Sequence, residues 1–164
     1  MGESLNQEHP TPLTHQESGL QTEGKATEEG NGVWNRFYHS EGVRMREPEV
    51  ETRVRQYLTE DGYQVIPRQQ RTGPDIIAEK DGRRLVVEVK ADRPGHQSSP
   101  GTINVDVMTL LGQIVFRKGQ EMADDYTIAI RPIHRRLIEE ALPALSQLCV
   151  RVLLVGDTDI RELA

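Results

Sequence analysis

The sequence predicts an α/β domain in which helices flank a central mixed sheet, with elements in the order α-β-β-β-α-β-α-β. Three observations favour this class. Helical periodicity begins near residue 49, and three short runs rich in β-branched residues follow it. Apolar segments of helix and strand length then alternate as far as residue 155. A length of 164 residues suits a single domain.

Residues 1–48 differ from the rest of the chain. They contain four Lys or Arg and eight Asp or Glu, and almost no aliphatic periodicity. Such a segment cannot bury enough apolar surface to offset its ordering entropy, so we expect a disordered acidic tail over 1–48 and a folded domain over 49–164. Trp34, Phe37 and Tyr38 stand out within the tail. They either dock on the domain or on a partner, or form an exposed hydrophobic cluster in a flexible segment without a specific partner.

The first elements of the domain follow from residue spacing. Val50, Val54, Tyr57 and Leu58 lie at i, i+4, i+7 and i+8, which predicts an amphipathic helix ending before Gly62. Residues 63–66, 75–78 and 85–89 have strand character. The Asp-Gly pair at 81–82 is a strong signal for a tight turn, so the last two strands should form a hairpin.

The second half alternates longer elements. Residues 92–101 contain two prolines and two glycines and predict a loop. Residues 105–116 are apolar nearly all round, which predicts a buried helix. Residues 126–130 predict a strand, residues 137–148 a helix that Pro143 kinks, and residues 150–155 a final buried strand.

Composition limits the function classes. The formal net charge is −6, which disfavours coating of the whole surface by nucleic acid. Cys149 is alone, so it makes neither an internal disulfide nor a zinc cluster. The first ten residues lack the features of a secretory signal, and no segment approaches about 18 consecutive apolar residues. We expect a cytoplasmic protein with no membrane partner.

The residues with the clearest chemistry lie in the predicted hairpin. Side chains alternate along a strand, so Glu88 and Lys90 share one face. Asp75 opens the preceding strand, which the turn folds back alongside. Two carboxylates would then converge on one Mg²⁺, and the lysine would orient or deprotonate an attacking water or stabilise charge on a phosphate. The alternative is a solvated Glu-Lys face and a turn-forming aspartate after Pro74.

Glu51 adds a third carboxylate to the predicted site. It shares a helix face with Leu58 and so borders the apolar stripe. The alternative is that Glu51 has only a structural role, because a negative charge in the first turn stabilises a helix by its interaction with the positive end of the helix dipole.

These residues resemble the motif of the PD-(D/E)xK nuclease superfamily, whose restriction-endonuclease-like fold has an α-β-β-β-α-β core. The matching residues are a helical Glu51, Pro74-Asp75 opening a strand, and Glu88-Val89-Lys90 on the next strand. Within the superfamily, residues 49–91 are most similar to archaeal Holliday-junction resolvases. The tail and the C-terminal half do not match those small resolvases closely.

The resemblance implies specific roles. Asp75 and Glu88 would bind Mg²⁺, helped by the carbonyl of Val89, and Mn²⁺ would substitute for Mg²⁺. Glu51 would bind the metal directly or through water, and Lys90 would be the catalytic lysine. In several branches the next helix supplies a site-facing Gln, a role that Gln113 fits. The alternative for Gln113 is a local polar contact.

An acidic protein still binds DNA if its basic groups cluster on one face. Basic residues flank the motif and are candidates for DNA contact: Arg68, Arg71, Arg93 and Arg117 with Lys118. The alternative for each is an ordinary solvent-exposed side chain with no ligand. A second basic group follows the fourth strand and comprises Arg131, His134, Arg135 and Arg136.

The leading expectation is a Mg²⁺-dependent endonuclease acting on DNA, including branched DNA of repair or recombination. The alternatives are a catalytically inactive nucleic-acid-binding module and a protein-interaction module on the same fold. Paired cuts would favour a two-fold homodimer, with Trp34, Phe37 and Tyr38 as candidate interface. The tail would recruit protein partners.

Overall fold

The computed structural model describes residues 43–68, 72–93 and 99–164. It confirms a mixed α/β fold in which one six-stranded mixed sheet is flanked by helices, with the strands in sequence order. The helices are α1 (Glu47–Glu60), α2 (Pro100–Gly119) and α3 (Arg135–Gln147). The strands are β1 (Gln64–Ile66), β2 (Ile76–Lys80), β3 (Arg83–Lys90), β4 (Asp125–Ile130), β5 (Val150–Val155) and β6 (Ile160–Leu163). A 3₁₀ turn spans Pro132–His134 between β4 and α3.

Helix α1 forms where the apolar spacing predicts it. Val50, Val54 and Leu58 are buried along one stripe. The Glu49 side chain accepts a hydrogen bond from the backbone N–H of Arg46, which satisfies a free donor at the start of the helix. The helix begins two residues before the predicted domain boundary at residue 49. Residues 1–42, which include the predicted Trp34, Phe37 and Tyr38 cluster, lie outside the described part.

The predicted hairpin is present between β2 and β3. Asp81 and Gly82 both adopt positive φ, at 53° and 77°, as a two-residue turn between twisted strands requires. The strands pair antiparallel with Ile76 opposite Val87. That register places Asp75, the residue just before β2, across from Glu88.

The remaining strands set the shape of the sheet. Strands β3, β4 and β5 run parallel, while β1, β2 and β6 are antiparallel to their neighbours. Helix α1 covers one face, where Leu85, Val87 and Val89 join its apolar stripe. Helices α2 and α3 cover the other face, where Val86 is buried. The carboxyl ends of the parallel strands meet at one edge, which in open α/β sheets is where ligands bind.

Two expectations for the second half need correction. Residues 105–116 do not form a helix buried all round. One side of α2 packs on the sheet through Ile103, Val107, Leu110 and Ile114, and its other side is exposed, because the sheet covers only one side of the helix. Strand β5 is also not the last, since β6 pairs with it at the edge of the sheet. The short, charged sequence of β6 lacks a strand signal.

Within the described residues, no helix combines the length and apolar character needed to cross a bilayer.

Candidate functional site

The hairpin brings Asp75 and Glu88 together at the carboxyl edge of the parallel strands. The Asp75 Oδ2 atom accepts a hydrogen bond of 2.8 Å from the backbone N–H of Val89. The Glu88 carboxyl lies close enough to Asp75 for the charge of Asp75 to raise the Glu88 pKa. The Asp75 carboxylate is therefore held by the backbone of the strand that carries the second acid.

Glu88 is an unusual glutamate because it is only 1 % exposed. Burial, together with the charge of Asp75, raises its pKa to about 7, although a hydrogen bond from Arg117 opposes the change. Arg117 belongs to α2, and its Nε atom lies 2.8 Å from Glu88 Oε1. The face of β3 that carries Glu88 is thus covered by α2, and the glutamate is not part of a solvated strand surface.

Helix α1 supplies two more carboxylates. Glu47, Glu51 and Asp75 each offer an oxygen within 4.8 Å of the other two. Burial raises the pKa of Glu51, and the charge of Asp75 raises it further, while Arg55 and Arg68 oppose the shift. Sequence reasoning found Glu51 but missed Glu47, because the acidic tail was taken to extend through residue 48. Their four-residue spacing on one helix was the available signal.

Two arginines lie against this acid cluster. The Arg55 Nη2 atom donates to the backbone carbonyl of Asp75 at 2.6 Å and lies 3.5 Å from Glu51. The Arg68 Nη1 atom lies 3.8 Å from Asp75 and 4.0 Å from Glu51. Arg68 therefore lies beside the carboxylates, as predicted for a basic group flanking the motif, and Arg55 is an arginine that the prediction omitted.

Lys90 faces two acids that the motif does not contain. Its Nζ lies 3.6 Å from Glu47 and 3.8 Å from Asp106 of α2. Asp106 is buried, which disfavours its charge, but hydrogen bonds from Arg93 and the charges of Lys90 and Arg93 hold its pKa below the usual value. The available signal for Asp106 was a lone carboxylate inside an otherwise apolar helix. It was missed because the helix was interpreted as apolar nearly all round.

Several predicted DNA-contacting groups have other partners or positions. Arg93 binds Asp106 through two nitrogens, at 2.6 and 2.9 Å, so its charge is already paired. Arg131 and His134 of the second basic group are buried, and burial lowers the His134 pKa to about 4. Gln113 is exposed one turn before Arg117. Arg71 lies outside the described residues.

The donor set fits a hard divalent cation. Carboxylate oxygens are the ligands that Mg²⁺ prefers, and the pKa values of Glu51 and Glu88 are both raised, first by burial and then by the charge of Asp75. A cation would relieve that repulsion. Asp75 is central, since it borders Glu88 on one side and the pair from α1 on the other.

Comparisons with known proteins give two structural neighbours. One is an XisH family protein from Nostoc punctiforme PCC 73102, with 17 % sequence identity and a TM-score of 0.49. The other is an fdxN element excision controlling factor protein from Anabaena variabilis, with 18 % identity and a TM-score of 0.49. Each alignment covers 70 % of this chain and 98 % of the neighbour. No family model matches the sequence. No curated protein matches it either.

Proposed function

We propose that the protein is a Mg²⁺-dependent endonuclease that hydrolyses phosphodiester bonds in DNA. The observation that carries the proposal is the Asp75–Glu88 pair on adjacent strands, fixed by the Val89 N–H, with Lys90 at the end of the same strand. In such a set the two carboxylates would hold Mg²⁺ and the lysine would stabilise charge on the phosphate, as the resemblance to the PD-(D/E)xK motif implies. The substrate class includes branched DNA, on the strength of the motif's resemblance to junction resolvases.

The residues take separate roles in this proposal. Asp75 and Glu88 would hold the metal, and Glu51 and Glu47 would extend the carboxylate set toward α1. Bound Mg²⁺ supplies Lewis-acid polarisation of the phosphate and a more acidic water. Lys90 places a positive charge beside the reacting phosphate, where Glu47 and Asp106 keep its ammonium group in position.

Binding of a polyanion next to four carboxylates needs local positive charge. Arg55 and Arg68 lie at the cluster, and Arg117 lies on Glu88. With a cation held by the carboxylates, these guanidinium groups would lie beside the phosphate oxygens of a bound strand, which are groups that arginine binds well. The overall charge of −6 is then compatible with binding at one face.

Cleavage assays test the proposal directly. The full chain is incubated with supercoiled plasmid, linear duplex and a four-way junction, with Mg²⁺ or with EDTA. We expect metal-dependent cleavage by the parent protein, and a loss of about 100-fold or more in Asp75→Asn and Lys90→Ala. Glu79→Gln and Lys80→Ala are matched controls on β2, since these residues pair with Arg84 and Asp61, away from the site. Absence of cleavage on all three substrates would overturn the proposal.

A second candidate function is supported by the Arg117–Glu88 ion pair. Arg117 already pairs with the most buried of the carboxylates, so this position has a cationic partner without a metal. A nucleic-acid-binding module that does not cut would have this property. It predicts junction binding that is equal in Mg²⁺ and EDTA, measured by fluorescence anisotropy, with no cleaved product.

A further inference from the structure

Asp106 is a buried acid on the side of α2 that packs on the sheet. It is 4 % exposed, and its neighbours on this side of the helix are buried and apolar, namely Ile103, Val107 and Leu110. A charged carboxylate in such surroundings costs free energy unless cationic partners replace the water that it loses. The partners of Asp106 therefore indicate the role of the buried charge.

Arg93 holds the Asp106 carboxylate through both of its oxygens. The Arg93 Nε atom lies 2.9 Å from Oδ2 and 3.2 Å from Oδ1, and the Nη2 atom lies 2.6 Å from Oδ1. His134, whose pKa burial lowers to about 4, is neutral at pH 7, and its Nε2 atom lies farther away, 4.0 Å from Oδ2. Because a planar guanidinium binds both oxygens, the orientation of the carboxylate is fixed.

Lys90 has two acidic neighbours that differ in their freedom to move. Its Nζ atom lies 3.8 Å from Asp106 and 3.6 Å from Glu47. The Asp106 side chain is held by Arg93, whereas the Glu47 side chain is half exposed and also lies within reach of the other carboxylates on the α1 side. Exposed ion pairs hold a flexible side chain only weakly. Asp106 is therefore the more firmly fixed of the two anions beside Lys90.

We propose that Arg93 and Asp106 are positioning residues that act together through Lys90. Arg93 fixes the Asp106 carboxylate, and the carboxylate fixes the ammonium group of Lys90. A lysine charge stands on a flexible four-carbon stem, so it stabilises a transition state well only where the ammonium group is held in place. The inference rests on the proposed endonuclease function, and it gives Arg93 a role inside the protein instead of the DNA contact predicted from the sequence.

Cleavage kinetics and DNA binding distinguish a positioning role from a DNA contact. We expect Arg93→Gln and Asp106→Asn each to lower kcat about tenfold or more, because Lys90 loses its fixed position. The dissociation constant for a four-way junction, measured in EDTA by fluorescence anisotropy, should change by less than about threefold. The double variant should lose no more activity than the more severe single variant, since both substitutions break the same chain of contacts.

Arg83 and Asp125 provide a matched control pair. They form a two-pronged ion pair of the same kind, with nitrogen–oxygen distances of 3.0 and 2.9 Å, at the opposite end of β3. Arg83→Gln should leave kcat unchanged. An Asp106→Asn variant with unchanged kcat would overturn the proposal. So would an Arg93→Gln variant that binds the junction about tenfold more weakly with unchanged kcat, since Arg93 would then be a DNA contact.

NMR of the Lys90 side chain tests the positioning without DNA or metal. The chain has few lysines, so ¹³C-lysine labelling gives a simple Cε spectrum in which Lys90→Arg identifies the signal of Lys90. We expect the order parameter of the Lys90 Cε to fall in Asp106→Asn and in Arg93→Gln, and to stay unchanged in Arg83→Gln. An equally mobile Lys90 in the parent protein and in both variants would overturn the proposal.

The two variants and the two measurements keep the inference separate from the endonuclease function. Circular dichroism checks that each variant folds, and Arg93→Gln changes a side chain that is 45 % exposed, so it carries the same test if Asp106→Asn does not fold. A parent protein that cuts no DNA would contradict the endonuclease function. The positioning of Lys90 would then still be confirmed or refuted by the NMR measurement.

Discussion

The buried carboxyl of Glu88 makes the stability of the protein depend on pH. Its pKa is about 7 in the folded protein, compared with about 4.3 in an unfolded chain, mainly because burial disfavours the charge. The folded state therefore binds the proton more tightly. The stability that protonated Glu88 contributes is fully present below about pH 4.3 and is lost as the pH rises through 7.

Glu88→Gln, which mimics the protonated acid, should consequently have a pH-dependent effect in EDTA. We expect a free energy of unfolding close to that of the parent protein at pH 4, and higher than that of the parent by about 1–3 kcal/mol at pH 8. Urea denaturation at both pH values measures the difference. A difference that does not change with pH would contradict the raised pKa.

His134 opposes this trend. Burial lowers its pKa to about 4, so its contribution to stability is present above about pH 6.5 and is lost as the pH falls towards 4. The two groups therefore act in opposite directions between about pH 4.5 and 6.5. Glu88→Gln removes one of them, and its own stability should rise more steeply with pH over this window than that of the parent protein.

At the scale of elements, α3 continues through a proline. Pro143 lies inside Arg135–Gln147 and has no N–H to donate to the carbonyl four residues earlier. Because Pro143 is exposed, its replacement by alanine disturbs no core contact. We expect Pro143→Ala to raise the free energy of unfolding by about 1–3 kcal/mol in urea titrations.

Ser146→Ala is the control for that prediction. It changes helix propensity at another exposed position of α3 without adding a hydrogen-bond donor. Its gain should stay at about 0.5 kcal/mol, the difference in helix propensity between serine and alanine. Equal gains in both variants would show that the missing N–H has little effect.

The elements that sequence patterns predicted well are those with strong local signals. Apolar spacing predicts α1, and the Asp-Gly turn predicts the β2–β3 hairpin and so the approach of Asp75 to Glu88. The exposed side of α2 was not predictable, because periodicity reports apolar residues but not what covers them. The proximity of Glu47 and Asp106 to Lys90 was also not predictable, since it depends on how α1 and α2 pack on the sheet.

At the scale of the whole molecule, Arg131 joins four parts of the chain. It is 2 % exposed and donates to Asp92 after β3, to the Val155 carbonyl at the end of β5, to Asp157 and to the Val43 carbonyl. Each of these hydrogen bonds is between 2.6 and 2.9 Å long. A planar guanidinium satisfies this set, whereas a lysine ammonium has three donors on a flexible stem.

Arg131→Lys should therefore destabilise the protein although it keeps the charge. We expect a loss of about 2–4 kcal/mol in the free energy of unfolding, because buried acceptors lose their partners. Arg135→Lys is the control, since Arg135 is an exposed residue paired with Glu139 and should change stability by about 0.5 kcal/mol or less. Equal effects of the two variants in urea denaturation would contradict the role given to Arg131.

The attachment of Val43 to Arg131 also determines where the first 42 residues leave the domain. Only three residues lie between Val43 and Glu47, so Val43 lies within a short reach of the carboxylate cluster. Any molecule that the N-terminal segment captures close to Val43 is thereby tethered next to the site. A weak attraction for the segment would then be enough to keep that molecule close to Asp75 and Lys90.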